Sequence, residues 1–171
     1  MSAIDLMLLG SLIDHPMNAY ELKKQMEIAR VSNWVKISSP AVYKNLVQLA
    51  GRGYLDTKVV KEGEMPEKTI YSVNGKGQKH FQALMETYSQ KPGFVYIDFT
   101  AFISNLHHLE KPVAEQMLHD LQGKLYVKLK YMELVLEQEG GKSNEAKAII
   151  TLYVRMYELF YRWACDFHLD Q

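Results

Sequence analysis

A chain of 171 residues can bury a real core, as one large domain or two small ones. Its 20 Lys/Arg balance 20 Asp/Glu, so bulk charge favours no partner, and a nucleic-acid reading has to rest on where individual cations stand. One cysteine excludes an intramolecular disulfide framework, no apolar segment is long enough to span a bilayer, and no basic stretch followed by an apolar run opens the chain; together these predict a cytoplasmic protein.

The first predicted helix opens at Ser2, with Asp5 placed for a capping box, and carries Ile4, Met7, Leu8, Leu12 and Ile13. Asp14-His15-Pro16 stops it. Asn18 with Glu21 three residues on, and Met17 with Leu22 as a staple, start a second helix with Leu22, Met26 and Ala29 on one face. Arg30 to Ser38 read as a turn with Trp34, Val35 and Ile37 packed under it.

The stretch from Ser38 to Val73 organises the rest. Val42, Leu46 and Leu49 recur at i, i+4 and i+7, one face of a helix running to Arg52. Ser39 suits the cap and Pro40 the first helical position. The opposite face carries Ala41, Lys44, Asn45, Gln48 and Arg52, short donors and acceptors among cations, as a helix in a DNA major groove needs. Tyr54–Val60 and Lys68–Val73 are rich in strand formers around the polar tip 61–67, a hairpin. A helix followed directly by a hairpin with a charged tip predicts a winged helix-turn-helix. Asn74 caps a fourth helix with Phe81, Leu84, Met85 and Tyr88 as its stripe, and Gly77 in its first turn permits close packing.

Ser89–Gly93 is the one clear linker and sets a domain boundary, giving 1–88 and 89–171. Three helical patterns follow. The first spans about Asp98 to Leu109. The second runs from Pro112 to Glu139, with Ala114, Leu118, Leu121, Leu125, Leu129, Met132 and Leu136 at nearly a 3.5-residue repeat. Gly140-Gly141 breaks it, and the third runs from Ser143 to about Leu169 with Ile149, Leu152, Met156, Leu159, Phe160, Trp163 and Phe167. Three helices leave too much of this apolar surface uncovered for one chain, so a second copy is expected, with Leu118, Leu121, Leu125, Leu129, Met132, Leu136, Met156 and Leu159 at the dimer interface. A two-fold dimer would set two recognition helices about one DNA turn apart, roughly 34–36 Å.

These residues resemble the PadR family of bacterial transcriptional regulators, in its shorter form with a small helical C-terminal domain. The resemblance rests on Ala19-Tyr20-Glu21-Leu22 after a turn, on the run Ser39 to Leu49 with its characteristic tyrosine at Tyr43, on Gly53-Tyr54-Leu55, and on Ile70 to Gly77. Asn74 stands there in the usual threonine position. His15-Pro16-Met17-Asn18 departs from the family's glycine-bearing turn. The resemblance implies a mostly α fold with a β-hairpin wing, a C-terminal three-helix dimerisation domain, and a homodimeric DNA-binding regulator, usually a repressor, often responsive to a small aromatic ligand.

The expected DNA contacts are Lys44, Asn45 and Gln48 at base edges or phosphates, Ser38 and Ser39 at phosphates, Tyr43 at the edge of the core face, and the wing cations Lys58, Lys61 and Lys68 at phosphates. Glu62, Glu64 and Glu67 share the wing loop and weaken its pull. Phe99, Phe102, Tyr153, Tyr157, Phe160 and Trp163 either line a pocket for a planar ligand or fill the dimer core. The six histidines form no metal constellation, since His107 and His108 are adjacent and point apart on a helix. Cys165 reads as an inert thiol, and no catalytic constellation or cofactor motif is present. Two other readings share the fold: a winged module that binds a partner protein without specific DNA binding, and a small-molecule sensor.

Overall fold

The computed structural model describes residues 2–31, 34–35, 37–61, 66–138 and 143–169. The chain forms two compact units, Met1–Val95 and Tyr96–Gln171. It is mostly helical with one small antiparallel sheet. Among the described residues, no helix is long and apolar enough to cross a membrane.

In the first unit, α1 (Ala3–Asp14) starts at Ser2, whose hydroxyl accepts from the Asp5 N–H at 3.4 Å. The Asp5 carboxylate stands 3.9 Å from the Arg52 guanidinium, at the far end of α3 (Ser39–Gly51). α2 (Ala19–Ile28) carries the full reciprocal box: the Glu21 N–H donates to Asn18 at 2.9 Å and the Asn18 N–H donates to Glu21 at 3.1 Å. Leu8, Leu9 and Leu12 of α1, Leu22 and Met26 of α2, Val42, Leu46 and Leu49 of α3, and Leu84 of α4 (Gly75–Gln90) make one buried core. Trp34, Val35 and Ile37 pack against it.

The hairpin is β2 (Leu55–Val60) and β3 (Lys68–Val73), in register from Leu55↔Val73 to Val60↔Lys68. The sequence reading missed a third strand. β1 (Met17–Asn18) pairs with the other edge of β3, Met17↔Tyr71 and Asn18↔Ile70, so β3 is central. Two residues carry no readable period, and Asn18 both pairs in the sheet and caps α2. α3 also begins one residue earlier than expected: Ser38, not Ser39, is the N-cap, and Pro40 lies in the first turn. On α4 the packed stripe is Gly77, Phe81, Leu84 and Tyr88; Met85 is exposed. α4 continues through Ser89 and Gln90, past the boundary expected at 88/89.

The second unit differs from its sequence reading in two ways. The expected helix over 98–109 is a short α5 (Phe99–Ile103) and a 3₁₀ turn at Leu106–His108. Ser104 and Asn105 donate from their side chains to the Ala101 carbonyl, at 3.0 and 2.8 Å, and compete there with the helical ladder. α6 (Lys111–Glu137) and α7 (Asn144–Asp166) pack along their lengths, tied by a Gln122 N–H to the Ala164 carbonyl at 2.8 Å.

This pairing covers part of the stripe expected at the dimer interface. Leu118, Leu125, Leu129 and Met132 are buried within one chain, Leu118 with Leu106, Phe102 and Phe167, and Met132 with Val135 and Ile150. Leu121 and Leu136 are half-buried, and Leu136 packs on the Met132 cluster. α7 meets them with Ile150, Tyr153, Val154, Tyr157 and Ala164. On α7, Met156 and Leu159 of the expected dimer interface lie a third of a turn away with Leu152; Leu152 and Leu159 are each 64% exposed and Met156 is half-buried. Gly140-Gly141 lies outside the described residues.

Candidate nucleic-acid interface

α3 turns Val42, Leu46 and Leu49 into the core, so at 100° per residue its outermost strip is Lys44, Val47, Gln48 and Gly51. Lys44 and Gln48 are exposed. Tyr43 is exposed too, rather than tucked against the core. Asn45 stands at the other margin, half-buried, where its side-chain N–H donates to the Ala41 carbonyl at 2.7 Å and spends one of its two donors inside the helix. Arg52 is held by the Asp5 pairing and faces away from the strip. The polar face expected from sequence was therefore centred too close to Asn45 and Arg52, and Val47 was left out of it.

The start of α3 carries no side-chain cap: the Ser38 hydroxyl makes no hydrogen bond back to the first turn. That leaves the positive helix end open beside two hydroxyls. Ser38 and Ser39 line a cleft of about 250 Å³ with Ile37, Val42 and, from α2, Lys23, Met26 and Glu27. Lys23 lies 3.5 Å from Glu27.

In the wing, Leu55, Thr57 and Val59 share a face with Val73, Tyr71 and Thr69, and Tyr71 and Val73 pack on the core. The opposite face carries Asp56, Lys58 and Val60 beside Ser72, Ile70 and Lys68. Lys58 and Lys68 thus stand on one outward face, with Lys61 exposed beyond Val60. Asp56 accepts from the Asn74 side chain at 2.9 Å, and Glu67 is exposed near the tip. Glu62 and Glu64 lie outside the described residues.

A set of contacts that the sequence did not signal ties α3 to the wing. The Tyr54 ring stacks on His80 of α4, centroids 4.2 Å apart and 8° from parallel. Lys76 Nζ stands 5.1 Å from the same ring and donates to the Arg52 carbonyl at 2.7 Å. Asn74 Oδ1 accepts from the N–H groups of Lys76 and Gly77, and its amide donates to the Gly53 carbonyl at 3.2 Å. Gly53 turns the chain with φ +74°, a conformation that suits glycine. These bonds fix the angle at which the hairpin leaves α3.

The second unit spreads the six aromatic residues over three groups, with Tyr157 shared between two of them. Phe99 meets Phe160 edge-on at 5.5 Å and Trp163 in a stack at 5.7 Å, and Tyr157 meets Phe160 edge-on at 6.2 Å. Phe167, stacked on Trp163 at 5.6 Å, extends this group. Phe102 instead packs on Leu106, Ala114 and Leu118, and Tyr153 packs on Met132, Val135 and Ile150. Burial raises the Tyr153 phenol above its ordinary pKa, with Tyr157 adding to the shift. A cleft of about 320 Å³ opens elsewhere, lined by Glu115, Leu118, His119, Gln122, Phe167, His168 and Leu169. Cys165 is exposed, and its hydrogen bond to Tyr161 raises that phenol. Among the described residues, no group of three His, Cys, Asp or Glu can hold a metal ion.

Residues 8–83 match the model of the transcriptional regulator PadR-like family. No curated protein sequence matches the chain. Among solved structures, Bacillus subtilis PadR in complex with operator DNA is 16% identical with a TM-score of 0.78, covering 94% of each chain. Bacillus subtilis PadR in complex with p-coumaric acid is 14% identical with a TM-score of 0.79, again covering 94% of each chain. A PadR-like transcriptional regulator from Bacillus cereus is 17% identical with a TM-score of 0.71, over 94% of this chain and 93% of that one. The winged domain thus carries the sequence pattern of the transcriptional regulator PadR-like family, and the whole chain shares the fold of these solved structures.

Proposed function

We propose that this chain is a homodimeric DNA-binding repressor that recognises a pseudo-palindromic operator. The observation that carries this reading is the exposed strip of α3, with Lys44 and Gln48 outward and an uncapped N-terminus beside Ser38 and Ser39, next to a wing that sets Lys58 and Lys68 on one face. Gln48 suits an adenine edge in the major groove, and the lysines and the helix end suit phosphate. The solved complex of Bacillus subtilis PadR with operator DNA supports the same use of this fold.

The stripe of Leu152, Met156 and Leu159 on α7 supports the dimer, because these residues recur at i, i+4 and i+7 and are not among the residues packed on the Met132 cluster. The group of Phe99, Tyr157, Phe160 and Trp163 supports relief of repression by a planar aromatic ligand, as does the p-coumaric acid complex of Bacillus subtilis PadR. Such a ligand would have to favour one arrangement of the dimer over the operator-bound one. Quenching of tryptophan fluorescence by planar acids, lost in a Trp163→Leu variant, tests the ligand.

A mobility shift with the DNA upstream of the protein's own gene, in excess random competitor and across a salt series, tests the DNA reading. A specific complex that weakens steeply with salt is expected, because phosphate contacts release counterions. A complex with a partner protein and no shift at low salt would favour the protein-interaction alternative, for which the exposed Glu67 on the wing is the motivation.

A further inference from the structure

The centre of the outward strip on α3 holds a residue that neither the core nor solvent explains. Val47 is 64% exposed and is not among the residues packed on the core of its unit. Valine is branched at Cβ and is a poor former of solvated helix. One turn before it on the same side stands Tyr43, 44% exposed. One turn after it is Gly51, where an added Cβ would meet nothing within 4 Å, so the chain's own packing does not require a glycine. Lys44 and Gln48 are its i−3 and i+1 neighbours, so this apolar row runs directly alongside the polar row on the exposed face of α3.

We propose, resting on the DNA reading above, that Val47 is a specificity-determining residue that reads the C5-methyl group of thymine, with Gln48 on the adenine of an adjacent pair. The occupant follows from chemistry. In the major groove only thymine among the four bases presents a methyl group, and an apolar side chain discriminates it by burying that methyl. Gln48 pairs bidentately with adenine N6 and N7, so the two side chains together select A·T steps. A bare helix end at Gly51 lets the backbone approach the groove closely.

The experiment uses the full chain and a randomised duplex pool. Sequences enriched by binding are resynthesised with each thymine replaced in turn by deoxyuridine, which removes the methyl and nothing else. At one thymine per half-site, the replacement should weaken wild-type binding by roughly fourfold, about what burial of one methyl contributes. A Val47→Ala variant with unchanged circular dichroism should bind the two duplexes alike. Enrichment of a sequence whose every thymine tolerates deoxyuridine overturns the role of Val47 while leaving DNA recognition standing. A Val47→Ala variant that keeps the wild-type discrimination does the same. Failure to enrich any sequence overturns the DNA reading and the Val47 role with it.

Discussion

A Cβ placed on Gly77 would stand 2.1 Å from the carbonyl oxygen of Tyr54. It would also lie 2.9 Å from Val73 Cγ1, so neither neighbour can yield without moving the wing. The first turn of α4 sits this close because the Gly77 N–H and the Lys76 N–H both reach Asn74, while Asn74 N–H reaches the Tyr54 carbonyl at 3.4 Å. Gly77→Ala should therefore cost about 1–3 kcal/mol, the range of overpacked cores, despite the better helix propensity of alanine. A urea titration followed by circular dichroism measures it; a loss under about 0.5 kcal/mol would mean that the strands give way easily.

Asn74 explains its own departure from the threonine expected by resemblance. A threonine hydroxyl can accept from the helix N–H groups, but it cannot also donate to both the Gly53 carbonyl and Asp56. Asn74→Ala should cost roughly 1–2 kcal/mol through loss of the cap, and Asn74→Thr should recover about half of that. Equal losses for the two variants in thermal melts would assign the stability to the amide donations alone.

The two long helices give a paired test of what lies inside the chain and what lies outside it. Leu129 is 6% exposed, so Leu129→Asp buries a charge and should unfold the α6–α7 pair, at a cost of roughly 3–5 kcal/mol. Leu159→Asp on the exposed stripe should leave helicity intact and separate the copies. Circular dichroism and light scattering on both variants distinguish the two effects. A Leu159→Asp protein that stays dimeric would remove the α7 stripe from the interface.

Gln48 and Lys61 should separate reading from anchoring. Gln48→Ala should lose roughly tenfold on the selected sequence and little on random DNA, whereas Lys61→Ala should weaken both alike and flatten the salt dependence by about one unit of slope. Fluorescence anisotropy at several salt concentrations measures all four affinities. Matching losses for the two variants on both DNAs would take Gln48 out of the reading set.

Much of the first unit was legible because its signals are local. The Asn18–Glu21 box, the Val42–Leu46–Leu49 face and the hairpin strands lie within a few residues of one another, and the structure has them as read. What escaped is what depends on distant partners. β1 exists only through β3, and the Asn45 amide turns inward to Ala41 although its residue type suits a base edge. The outward face of α3 was misjudged for a related reason: polar residues were taken as its marker, and the exposed Val47 was passed over. In the second unit, the heptad of α6 was correctly seen as apolar, but periodicity does not say whether the partner helix is α7 of the same chain or a second copy. The aromatic residues of α7 meet different partners at different heights along the helix, Tyr153 with Met132 and Val135 and Trp163 with Phe99, which spacing alone does not separate.

The central claim is that two copies of α3 read two half-sites of one duplex. Hydroxyl-radical footprinting of the full-length protein on its selected DNA tests it most directly. The expected result is two protected patches related by two-fold symmetry, with centres about 10–10.5 base pairs apart or a multiple of that spacing. A single protected patch would contradict the dimeric reading, and uniform cleavage at saturating protein would contradict DNA recognition by α3.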